Sequence, residues 1–154
     1  MKKTPPARII ALTLFFAAAS LILTFRFYGS MPHIPPSVAV TLWGLTAACG
    51  FGTWVVRKNI SRGHIGLDRS QLNPLSAVNW LILGTASAYT GGIVGGIYLG
   101  IAAYVLPRTT TLMAAADDAP GVIVSALGGI ALAAAGLILE RACAVPPGSD
   151  GEAA

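Results

Sequence analysis

The sequence predicts an all-α membrane protein, a four-transmembrane-helix bundle with its N and C termini in the cytoplasm. Three observations carry this. Charged residues make up 10% of the chain and apolar residues 55%, with a mean hydropathy of +0.71, whereas a soluble domain carries about 25% charged residues. Four stretches reach the roughly 20 mostly apolar residues that a helical span needs. Lysines and arginines collect at alternate ends of those stretches.

The first span runs from about Ile9 to Tyr28, after a short tail (residues 1–8). Its start, "MKKTPPARIIALTLFFAAAS", resembles a signal peptide. The apolar run continues through "LILTF", however, beyond the roughly 7–15 residues of a signal h-region, so an uncleaved helix is expected. No cysteine follows that run to accept a lipid. An eight-residue loop, Gly29–Pro36, leads to the second span, Ser37–Val56. The basic loop Arg57–Leu75 precedes the third, Val78–Leu106. That loop ends in Asn73-Pro74, an N-cap followed by a proline suited to the first helical position, so the third helix is expected to start at Pro74. About 32 residues then span roughly 48 Å, more than a 30 Å hydrocarbon core, with the first turns in the interface and Trp80 as an anchor. Trp54 falls at a similar level, and Tyr28 and Tyr104 at the opposite one. Loop Pro107–Ala119 leads to the fourth span, Pro120–Leu139, and the stretch 140–154 reads as a flexible cytoplasmic tail.

Eight of the ten basic residues (Lys2, Lys3, Arg8, Arg57, Lys58, Arg62, Arg69 and Arg141) fall on one side of this topology. Arg26, Arg108 and the acids Asp117 and Asp118 fall on the other. By the positive-inside rule the first side is cytoplasmic, which makes the protein multi-pass in a bacterial cytoplasmic (inner) membrane. The net charge of +4 then reflects topology and contact with anionic headgroups of the lipid bilayer. Four scattered charges in one loop do not form the basic face that nucleic acid requires, so no nucleic-acid partner is expected.

The third span holds six glycines in "GTASAYTGGIVGGIYLG". In water each would cost a helix roughly 1 kcal/mol against alanine. In hydrocarbon the backbone must satisfy itself and the helix is enforced, so glycine instead supplies close approach. Gly84, Ala88, Gly92, Gly96 and Gly100 recur every four residues, widened by Gly91 and Gly95. This is the small-xxx-small pattern of tightly packed spans. The fourth span answers with Gly121, Ser125, Gly129 and Ala133, flanked by Gly128 and Gly136, and the second offers Gly44, Ala48 and Gly52. The stripe is expected to pack span three on span four or two, or to seat a membrane-protein partner or a second copy. Tyr89 and Tyr98 would find hydroxyl partners among Thr85, Ser87, Thr90 and Ser125.

Residues for chemistry are sparse. No span carries Asp, Glu, Lys or His near its middle, and Arg26 can snorkel to the interface. Glu140-Arg141 reads as a charged stop to span four. Cys49 and Cys143 have no ligand spacing, and His33 and His64 lie on opposite sides of the membrane. Asp68 and Arg69 do not make a phosphate cage. No catalytic residue, metal site or cofactor is expected.

Two segments together resemble a known family: "LNPLSAVNWLILGTASAYTGGIVGGIYLGIAAYVLP" and "LILERACAVPPGSDGE". They resemble an uncharacterised family of small four-span membrane proteins from actinobacteria, a domain of unknown function whose genes often stand beside folate-biosynthesis genes. The resemblance covers essentially the whole chain. It implies Pro74, Leu75, Ala77, Ala86, Ser87, Gly91 and Gly95 as pattern positions in the third helix, and Glu140, Arg141, Cys143 and Pro146 as those of the cytoplasmic end. A basic residue common in that family near the start of the third span is replaced here by the neutral Asn79 and Thr85. The resemblance implies no reaction and no cofactor. The expectation is a non-enzymatic accessory or scaffold subunit packing through the glycine-rich helix. The alternative is a small transporter or oligomeric channel for a neutral or lipid-like substrate.

Overall fold

The structure is a computed structural model that describes residues 5–30, 37–61 and 74–143. These form four helices: α1 (Pro6–Phe27), α2 (Ser37–Ser61), α3 (Pro74–Val105) and α4 (Met113–Cys143). Each is long and apolar enough to cross a membrane. Proline opens α1 at a position whose N–H would be unpaired in any case. α3 begins at Pro74, as the Asn73-Pro74 pair predicts, and runs unbroken through both Gly-Gly pairs.

The fourth helix starts earlier than its apolar run. A short 3-10 turn, Leu106–Arg108, and a turn in which Leu112 N–H donates to Arg108 O at 2.9 Å bring the chain straight into α4 at Met113. Alanines 114–116 favour the helix, and Pro120 lies inside it rather than at its start. Asp117 and Asp118 are therefore helical residues, one turn inside α4. At the far end α4 passes through Glu140 and Arg141 to Cys143, so that pair does not stop the helix.

The helices pack in the order α1, α3, α4, α2. α3 and α4 share the largest interface, α1 lies on α3, and α2 lies on α4 with a smaller contact to α3. The register fixes directions. Gly84 lies against Glu140, Gly91 against Ala133 and Gly95 against Gly129, so α3 and α4 are antiparallel. Gly92 meets Ile9, Gly96 meets Thr13 and Gly100 meets Ala17, so α1 and α3 are parallel. Arg8, Arg57, Lys58 and Arg141 thereby share one end of the molecule, and Arg26 and Arg108 the other.

The glycines of α3 form two faces rather than one groove. Each four-residue step over-rotates by about 40° on a helix of 3.6 residues per turn. The run Gly84, Ala88, Gly92, Gly96, Gly100 thus winds through about 160° and cannot face one neighbour. Steps alternating between three and four residues stay in line: Gly84, Ala88, Gly91 and Gly95 face α4. Gly92, Gly96 and Gly100 face α1, a neighbour that the stripe alone does not indicate.

Substitutions separate these faces from open glycines. Gly95→Leu is expected to lower stability by about 1–3 kcal/mol through overpacking, and Gly100→Leu similarly. Gly50→Leu, where an added Cβ meets nothing within 4 Å, should stay within about 0.5 kcal/mol of wild type. Melting temperatures in one detergent would check this, and equal losses at all three positions would contradict the register.

Candidate functional site

The α3–α4 junction is a backbone-to-backbone contact. A Cβ built on Gly95 would lie 3.0 Å from the carbonyl carbon of Gly129 and 3.1 Å from Ile130 N. On Gly136 it would lie 2.5 Å from Ala88 N and 2.6 Å from Gly84 O. Gly136 is thus central to the junction, whereas Gly128 serves the other side of α4, with Leu42 Cβ and Trp43 Nε1 each 3.2 Å from its added Cβ. Ser125 and Ala126 are buried in α4, and Gly121 is half-buried. Gly52 of α2 accepts the ring of Trp80, whose Cζ3 would lie 2.5 Å from an added Cβ.

Six threonine hydroxyls on the helices are satisfied locally. Thr13, Thr24, Thr41, Thr46, Thr53 and Thr85 each donate to the carbonyl four residues back, at 2.7–3.0 Å. Back-bonding of this kind hides a hydroxyl against its own helix. Other bonds cross between helices: Ser20 Oγ donates to Ile97 O at 2.8 Å, and Trp43 Nε1–H donates to Val124 O at 3.3 Å. The polar residues named for the tyrosines are not gathered around one cavity. Thr85 bonds its own helix, Ser87 and Ser125 are buried, and Thr90 is exposed.

At the Arg108 end three helices are joined by polar and aromatic contacts. The Tyr28 hydroxyl donates to Asp118 Oδ2 at 3.3 Å. The Tyr104 ring lies 4.9 Å from Phe25 and 5.0 Å from Tyr28. Arg108 stacks over Tyr104 at 4.0 Å and Phe25 at 5.2 Å, and donates to Tyr104 O at 3.4 Å. Such stacking is worth about 0.5–1 kcal/mol when exposed and more when dry. Asp118 is only 7% exposed, although the sequence places it in a loop. The signal available is its place in an alanine-rich run only two residues before Pro120.

At the other end Glu140 is 5% exposed, its backbone N lying 2.9 Å from a Cβ added to Gly84. By sequence it reads as a surface stop. The glycine that admits it lies 56 positions away in the chain, too far for any local pattern to reveal. Arg141 is exposed, and Cys143 packs on the cluster of Leu42, Cys49, Leu132 and Leu139. Both cysteines are free thiols. Lys58 caps the Trp54 ring at 4.6 Å. Pro146, His33, His64, Asp68 and Arg69 lie outside the described residues, as do the side chains of Pro74, Leu75 and Ala77. Among the described residues no group of three or more His, Cys, Asp or Glu is placed to hold a metal ion.

Between α1 and α4, over α3, lies an apolar groove of about 310 Å³. Ile9, Ile10 and Leu14 form one wall and Ile130, Ala134 and Leu137 the other, with Gly91 and Gly92 in the floor.

Residues 9–147 match the model of a family described as a protein of unknown function (DUF3180), and the chain belongs to that family. No curated protein and no solved structure matches it.

A double-mutant cycle on Tyr28→Phe and Asp118→Asn is expected to give a coupling of about 0.5–1.5 kcal/mol, the net value of one hydrogen bond. Strict additivity in detergent melts would mean that the Tyr28–Asp118 bond adds nothing.

Proposed function

We propose that this DUF3180 protein is a multi-pass protein of a bacterial cytoplasmic membrane, serving as a non-enzymatic accessory or scaffold subunit with both termini in the cytoplasm. Four apolar helices support the membrane location. The shared end of Arg8, Arg57, Lys58 and Arg141 supports the orientation. A non-enzymatic role fits the separation of the two buried carboxylates, which stand about 33 Å apart along α4. The actinobacterial source and folate-gene neighbourhood that the resemblance implies would make the partner a membrane or envelope component of such a cell.

One observation carries the scaffold reading. Gly84, Gly91, Gly92, Gly95, Gly96 and Gly100 are consumed inside the chain, but α2 keeps Gly44 and Ala48 on its exposed face, and a Cβ on Gly44 meets nothing within 4 Å. That is an open small-xxx-small step of the kind that receives another helix. The scaffold contact therefore moves from α3 to α2, and its partner is a membrane protein or a second copy. Transport is the weaker reading, since Thr85, Ser87, Thr90 and Ser125 do not line a common path and the groove beside α1 is apolar.

Crosslinking in native membranes followed by purification tests this, comparing wild type with Gly44→Leu/Ala48→Leu. The variant should accumulate normally and lose a specific copurifying membrane protein or the dimer band. An unchanged set of partners would overturn the scaffold reading. Orientation is tested separately. In a background lacking native cysteines, Thr110→Cys should react with an impermeant maleimide in intact cells, and Ser149→Cys only after permeabilisation.

A further inference from the structure

We draw no further inference here: the strongest candidate, the apolar groove between α1 and α4 lined by Ile10, Leu14, Ile130 and Leu137, is an unpartnered face, and nothing in the structure shows what covers it.

Discussion

The structure depends on the direct approach of two backbones. Along α3 and α4, Gly91 and Gly95 meet Gly129 and Ala133 with no side chain between them, and further along Gly84 and Ala88 meet Gly136. In the bilayer setting proposed above, no hydrophobic force would draw the helices together, because lipid tails are as apolar as leucine. Dispersion contacts and weak Cα–H···O interactions must hold them, and both fall off steeply with distance. Adding one methyl group at any of these glycines forces the backbones apart along the whole junction. The glycines that would weaken a soluble helix therefore make up the core of this one.

The rest follows from how that contact is used. α3 turns its second glycine face to α1, so α1 settles beside α3 and away from α4. α2 takes the far side of α4 through Gly128, with Trp80 laid over Gly52. One arrangement thus produces both unfilled features: the groove between α1 and α4, and the open face of α2 at Gly44. The first is lined by apolar side chains and the second is a step of small residues left open on α2. Both ends of the molecule are then secured by groups that the packing encloses, Asp118 with Tyr28 at one and Glu140 beside Gly84 at the other.

Those two carboxylates show how far the sequence could be followed. An aspartate pair after three alanines looks like loop when the apolar run begins at Pro120, since proline so often opens a helix. Hydrogen bonding at Met113 begins the helix earlier, and Tyr28, 90 positions from Asp118, supplies the partner. Glu140 likewise depends on a glycine in another helix. The small-residue stripe is visible in the sequence, but its division into two faces is not, because a four-residue repeat suggests one line while a helix rotates it away.

The sequence alone determined that the chain is helical, that four segments are long and apolar enough to span a bilayer, where the third helix begins, and that glycine would replace side-chain packing. Those properties arise from composition and local geometry. Only the tertiary structure decided which helix each glycine meets, which carboxylates are enclosed, and which surfaces stay open. Each of these depends on residues from separate helices coming within van der Waals reach, and no local pattern records that distance.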